Sequence, residues 1–310
     1  MSGTAAVLVT GAGGMIGSAV VGTLCANGVR VRAHTGPPGY LGMPLPGGVE
    51  CVAAQIGDRP AIEAACAGVD AVVHLAGPPS VAASFADPVG YARDHVLGTA
   101  TVLAAAVAAG VRRLVHVSSA EVYGRSARAG VREDDEPRPV SPYGAAKAAA
   151  EQLVRAAVER GEMEVVVLRP FSVYGPGSPA TSLVGTIVAQ SRSADEILVR
   201  SLGTVRDYVH VDDVALAAIT ALSRGEGGVY NIGSGRGTSV AELAQAATVA
   251  AGRAIPVRAT GDPDRPAAID LAVLVANPAA AAAALGWRAR SLAAGMTAVM
   301  AALDAEPAGG

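Results

Sequence analysis

Aromatic side chains are scarce in this 310-residue chain, at 3% of positions, and charged ones reach only 16%. Apolar residues still make up 51%, much of it alanine, so any core must be built from aliphatic and alanine packing. No uninterrupted apolar stretch approaches the roughly 20 residues needed to span a bilayer. The richest candidate, Ala100 to Val111, is broken by Thr101 and Gly110. No basic-then-apolar leader opens the sequence, so a cytoplasmic location is expected. The net charge is −3 and the cationic residues are scattered, which offers no footprint for nucleic acid or an anionic membrane. Three cysteines, Cys25, Cys51 and Cys66, form an odd and dispersed set, expected to be reduced thiols rather than bridges. Five histidines (34, 74, 95, 116 and 210) lack metal-ligand spacing, and no metal is expected.

What is present is a rhythm. Short apolar runs at Ala5–Thr10, Val29–His34, Val49–Ala53, Ala71–Leu75, Leu114–Ser118 and Val165–Leu168 alternate with helical patterns. Those helices are expected at Met15–Ala26, Pro60–Ala67, Tyr91–Ala109 and Tyr143–Arg160. Alternation of this kind predicts βαβ units, and strands of nearly unbroken Val, Leu and Ala suit a parallel sheet covered on both faces. After Pro170 the pattern loosens, with a turn cluster at Gly175–Pro179, a helix near Ser182–Gln190 and a strand near Glu196–Ser201. Val209–Leu222 and Val229–Ile232 read as a helix and strand able to rejoin the sheet, and Ala279–Ala284 as a helix stopped at Leu285-Gly286-Trp287. The expected architecture is a doubly wound α/β (Rossmann) domain over residues 1–177, rejoined by about 203–235. A smaller mixed lobe would take 178–202 and 236–310.

Two local patterns carry chemistry. Val7-Leu8-Val9-Thr10-Gly11-Ala12-Gly13-Gly14-Met15-Ile16-Gly17 is an apolar strand running through a glycine turn into a helix. Gly11 and Gly14 would let the backbone approach a diphosphate, Gly17 would let helix and sheet pack closely, and the free amides of Met15 and Ile16 attract anions. Tyr143 and Lys147 are one helical turn apart, so phenol and ammonium share a face. A nearby cation favours the ionised phenol, whose free pKa is about 10, and would make it a usable acid/base.

These stretches, together with Val117-Ser118-Ser119-Ala120-Glu121-Val122-Tyr123-Gly124, resemble the extended short-chain dehydrogenase/reductase family, in its nucleotide-sugar epimerase, dehydratase and ketoreductase branch. His74-Leu75-Ala76-Gly77, Leu168-Arg169-Pro170-Phe171-Ser172-Val173-Tyr174-Gly175, Arg206-Asp207-Tyr208-Val209-His210-Val211-Asp212-Asp213 and Tyr230-Asn231-Ile232-Gly233 extend the likeness over almost the whole chain. The resemblance implies a triad. Tyr143 passes the proton, Lys147 lowers its pKa and holds the nicotinamide ribose, and Ser119, with Ser118 as the adjacent alternative, holds the reacting oxygen. It further implies that Leu75, Ala76, Gly77, Thr35 and Pro170 line the cofactor, with Asp58 near the adenine. Asp58 reads equally well as a helix cap before Pro60. Ser172, Arg206 and Arg265 are the implied substrate residues, the arginines gripping a nucleotide diphosphate.

Departures from the family pattern matter. The end of the second strand, Arg30-Val31-Arg32-Ala33-His34-Thr35-Gly36, lacks the carboxylate that would accept the adenosine ribose hydroxyls of NAD. Arg32 or His34 could instead meet a 2′-phosphate, so NADP is expected first and NAD second. Both could equally be solvated strand-edge residues. Ala120 stands where dehydratases of this branch carry aspartate, which argues against dehydration, while Glu121 is either a second acid/base or a structural acceptor. His95 replaces the usual asparagine. The expectation is hydride transfer at C4 of a nucleotide-activated hexose. A 4-ketoreductase of a deoxysugar nucleotide comes first; a 4-epimerase, a uronate decarboxylase and a non-enzymatic cofactor-binding protein are the alternatives. A homodimer is expected by analogy.

Overall fold

A computed structural model describes residues 5–40, 42–125, 130–261 and 273–305. The chain begins β1 (Ala6–Thr10), α1 (Met15–Ala26), β2 (Arg30–Gly36), β3 (Glu50–Ala53), α2 (Arg59–Cys66) and β4 (Ala71–His74). Then come α3 (Val81–Ala86), α4 (Pro88–Ala92), α5 (Gly98–Ala108), β5 (Arg113–Val117), α6 (Pro142–Glu159), β6 (Glu164–Pro170) and β7 (Ser172–Tyr174). The remainder is α7 (Leu183–Ser193), β8 (Ile197–Val199), β9 (Val205–His210), α8 (Val211–Ala221), β10 (Val229–Ile232), β11 (Gly237–Ser239), α9 (Val240–Ala250), β12 (Val257–Ala259), β13 (Val273–Leu274), α10 (Ala279–Leu285) and α11 (Leu292–Ala305).

Seven strands form one parallel sheet in the order β10-β6-β5-β4-β1-β2-β3. The strand order reverses between β1 and β4, and ligands of open α/β sheets bind outside the carboxyl ends at such a reversal. Strand alternation sorts side chains onto two faces. Val7, Val9, Val31, Val73 and Val115 face one core with Val20, Val21 and Leu24 of α1 and Val214, Ala215 and Ala218 of α8. Leu8, Val72, Leu114 and Val165 face the other, with Ile62 of α2, Val102 and Ala106 of α5 and Val154 of α6. The sheet is therefore covered on both sides, as its unbroken apolar strands predict.

A smaller body lies beyond the carboxyl ends. β9 pairs with β7, β11 and β13, β8 pairs with β12, and α7, α9 and α11 close a separate apolar core around Ile187, Leu243 and Met296. β10 and α8 return to the large sheet, whereas β9 belongs to the small one. Leu285-Gly286-Trp287 ends α10 as expected, with Gly286 in the left-handed conformation and the Trp287 Nε1 donating to the Asp213 carbonyl at 2.7 Å.

One expected helix differs. Tyr91–Ala109 is interrupted at Arg93–Leu97 by a wide turn, where the Gly98 amide donates five residues back to the Arg93 carbonyl. The His95 ring lies beside Gly77, where a Cβ would come within 2.2 Å of it, and the φ of +130° there also favours glycine. Wide turns of this kind concentrate at functional sites.

Candidate active site

Three consecutive residues at the end of β5 meet three residues on one stripe of α6. The Lys147 ammonium donates to the Val117 carbonyl at 3.0 Å. The Ser118 hydroxyl donates to the Glu151 carboxylate, and Ser119 hydrogen-bonds the Tyr143 phenol. Positions 143, 147 and 151 lie one turn apart, so a single helix face carries all three. Ser141 caps that helix by accepting from the Gly144 amide at 3.1 Å, and Gly144 is needed because a Cβ there would lie 2.5 Å from the Glu121 carbonyl oxygen. Adjacent serines thus point to different partners. Ser119, not Ser118, is the one at the phenol.

Tyr143 and Lys147 are both buried. Burial pushes the phenol up to about 12, the Ser119 hydrogen bond pulls the other way, and the Glu121 carboxylate adds to the rise. Desolvation of the phenolate is the largest of these effects in so dry a place, and it acts against the lowering expected from Lys147. Burial also pulls the Lys147 ammonium down to about 8, opposed by the Glu151 carboxylate. Tyr91 and His95 each pack edge-on against Tyr143, with centroids 5.3 Å apart for His95 and Tyr143, and the His95 Nε2 bonds the Pro78 carbonyl at 3.0 Å.

Glu121 follows Ser119, whose hydroxyl accepts from the Glu121 amide at 3.2 Å. Burial raises its carboxyl above the usual range, and the positive charge of Arg206 on β9 partly offsets the rise. Arg206 therefore faces the same site, and Ser172 on β7 lies in register with Tyr208 of β9. Arg265 lies outside the described residues.

The glycine turn fits a dinucleotide. A Cβ at Gly11 would sit 2.8 Å from the Ala76 nitrogen, and one at Gly17 would sit 2.1 Å from the Gly11 carbonyl oxygen. Gly14 occupies the N-cap of α1 and supplies no capping side chain, so the first-turn amides of Met15 and Ile16 remain for a ligand. Leu75 and Ala76 donate their amides to the Thr10 hydroxyl at 3.2 and 3.3 Å, which ties the Leu75–Gly77 stretch to the glycine turn. Pro170 ends β6 beside β5, and Thr35 is the last residue but one of β2. A Cβ at Gly13 would meet the Thr35 carbonyl oxygen at 3.6 Å, so Thr35 borders the turn.

The second strand corrects one part of the basis for expecting NADP, the positive charge, while the carboxylate remains absent. Arg32 is held by Glu50 at 2.7 Å and by the carbonyls of Ala65 and Ala67 at 2.8 Å, where it completes the C-terminal end of α2. His34 is buried, its Nε2 on the Ala54 carbonyl at 2.9 Å, and burial keeps it neutral by lowering its pKa. Both side chains alternate onto the face opposite Val31 and Ala33, the one packed by α2, and both are engaged there. Asp58 takes the capping role, accepting from the Ala61 amide at 3.3 Å.

Sequence reasoning missed two things. One is a buried polar chain under α6, in which Arg169 bonds both Glu151 oxygens, at 3.0 and 2.6 Å, and the Tyr123 hydroxyl at 2.7 Å. The other was visible throughout: Lys147 is the only lysine in the chain, every other side-chain cation of that class being arginine. Arginine stays charged, whereas a buried lysine can titrate.

Comparison with known proteins follows this geometry. The profile of the NAD dependent epimerase/dehydratase family matches residues 7–233. A UDP-glucose 4-epimerase of Azospirillum brasilense is 31% identical, over 91% of this chain and 86% of that protein. A probable UDP-arabinose 4-epimerase of Arabidopsis thaliana is 30% identical, over 93% of this chain and 78% of its own. The structure of a Thermus thermophilus UDP-glucose 4-epimerase in complex with NAD superposes with a TM-score of 0.87 at 30% identity, covering 97% of this chain and 100% of that one.

Proposed function

We propose, for a chain that belongs to the NAD dependent epimerase/dehydratase family, that this enzyme is a nucleotide-sugar 4-epimerase working with NAD. One observation carries the reading: the Ser119–Tyr143–Lys147 junction is intact in a chain that matches 4-epimerases over nearly its whole length. The bound nicotinamide supplies a hydride acceptor and donor. The residues of this chain hold and move the proton. Ser119 holds the C4 oxygen of the sugar, and Tyr143 exchanges the proton with it as the alcohol becomes a ketone and is restored on the opposite face. Lys147 holds the ribose beside the ring and gives the site its positive charge. Gly11, Gly14, Met15, Ile16 and Gly17 receive the diphosphate of the cofactor, and Leu75, Ala76, Gly77 and Pro170 line its groove. Arg206 and Ser172 serve the nucleotide-sugar diphosphate.

The 4-ketoreductase expected first rested on the missing carboxylate at the end of β2, which suits exchangeable NADPH; with Arg32 and His34 engaged elsewhere, that gap holds no cation to favour a 2′-phosphate. Ala120 withholds the acid that dehydration needs. The homodimer remains a proposal, supported by exposed Phe85, Val89 and Leu97 near the start of α5. Purified enzyme given UDP-glucose is expected to form its C4 epimer without net accumulation of reduced cofactor, read by proton NMR and absorbance. Stoichiometric consumption of NADPH with a 4-ketosugar nucleotide, and no interconversion of epimers, would restore the ketoreductase.

A further inference from the structure

Lys147 is surrounded by groups from every element that packs against it. Tyr143 and Glu151 flank it on α6, His74 comes from β4, His116 from β5 and His95 from the wide turn before α5. The three histidines are buried and held neutral, their pKa values all lowered by desolvation. Glu151 is the anion among these neighbours. Its own carboxylate is fully engaged: Ser118 and the Arg169 Nε donate to one oxygen, and the Arg169 Nη2 donates to the other at 2.6 Å. Arg169 is fixed in turn by Tyr123, whose hydroxyl bonds the Asn231 side chain at 2.7 Å. A buried ion pair of this kind needs all its hydrogen bonds satisfied to be tolerated, and this one has them.

We propose that Glu151 is a positioning residue for the reaction, locking α6 to the end of β5 through Ser118 while its negative charge keeps the Lys147 ammonium protonated one turn below Tyr143. Arg169 serves as the scaffold that immobilises this carboxylate. This role deepens the hydride-transfer reading, yet its central measurement needs no turnover.

Because Lys147 is the only lysine, protein grown on lysine labelled with ¹³C at Cε gives one side-chain signal, and its pH titration follows this ammonium alone. Wild-type protein is expected to titrate at about 8. In Glu151→Gln the midpoint is expected to fall by about one unit or more, since the opposite charge is gone. Should that variant fail to fold because Arg169 is left unpaired, Glu151→Gln combined with Arg169→Met removes both charges, and the lowered midpoint is expected to persist. A midpoint equal to wild type in whichever variant folds overturns the proposal, since hydrogen bonding alone would then explain the residue. The alkaline limb of kcat is expected to move with the NMR midpoint while KM changes little. A shifted midpoint in a protein that interconverts no sugar would sink the epimerase reading and leave the role of Glu151 standing.

Discussion

The two ends of the cofactor groove are built on different principles. At the reacting end, where β5 meets α6, Val117, Ser118 and Ser119 each hold a different side chain of one helix stripe, and the charges beneath are paired. At the opposite end, where β2 stops, the charged and titratable side chains turn away: Arg32 closes the end of α2 and His34 is buried against Ala54. What borders the glycine turn there is uncharged: the backbone of Gly42 and Thr35 and the Tyr40 ring lie against Gly13. One end is specified by charge and hydrogen bonds, the other by shape. A chain can therefore keep the chemistry of its family while losing the acidic marker usually used to assign the cofactor.

That contrast is broken most severely at Tyr143. Replacing Tyr143 with Phe keeps the ring packed against His95 and removes only the proton-bearing oxygen. Turnover is expected to fall about a thousandfold, in the range typical of a lost general acid/base. Cofactor affinity, measured by fluorescence titration, is expected to stay near wild type because the opposite end of the groove is untouched. Unchanged turnover would take the phenol out of the mechanism and leave the two ends chemically equivalent.

A smaller effect is expected at Arg32. Its guanidinium serves helix carbonyls and Glu50, so Arg32→Ala is expected to cost about 1–2 kcal/mol of stability in urea unfolding. The ratio of NAD to NADP affinity is expected to remain as in wild type. Weakening of NADP binding alone would return Arg32 to the groove and make charge the rule at both ends.

Much of this molecule was legible from local patterns. Met15–Ala26 and Val229–Ile232 are where periodicity and apolar runs predict them, and α6 differs by a residue at each end. The pairing of Tyr143 with the end of β5 was implied by the family resemblance, and it suits a crossover helix, which starts from the carboxyl end of the strand before it. What escaped was long-range. Nothing local announces that Glu151 will find Arg169, eighteen residues on and across a strand. The wide turn at Arg93–Leu97, which sets His95 against Gly77, has an apolar pattern no different from ordinary helix. In the small lobe α9 and α11 went unassigned, their alanine-rich sequences giving little contrast between faces. The inward turn of Arg32 and His34 did have a signal. They alternate with Val31 and Ala33 in a strand expected to be covered on both sides, so neither could be freely solvated.

Asp58 offers the smallest and sharpest version of the same comparison. Its carboxylate accepts from the Ala61 amide at 3.3 Å, and Pro60 follows within the first turn of α2, the arrangement of an N-cap. The contact is long and exposed, so Asp58→Ala is expected to cost about 0.5–1 kcal/mol, at the low end for a lost cap. Asp58→Asn is expected to recover most of that, because its side-chain oxygen can accept the same bond. If Asp58 also served the adenine through its charge, the asparagine variant would restore stability yet still weaken NAD binding. A cap alone predicts that NAD affinity is the same in wild type, Asp58→Ala and Asp58→Asn, which isothermal calorimetry can decide on protein already shown to be folded.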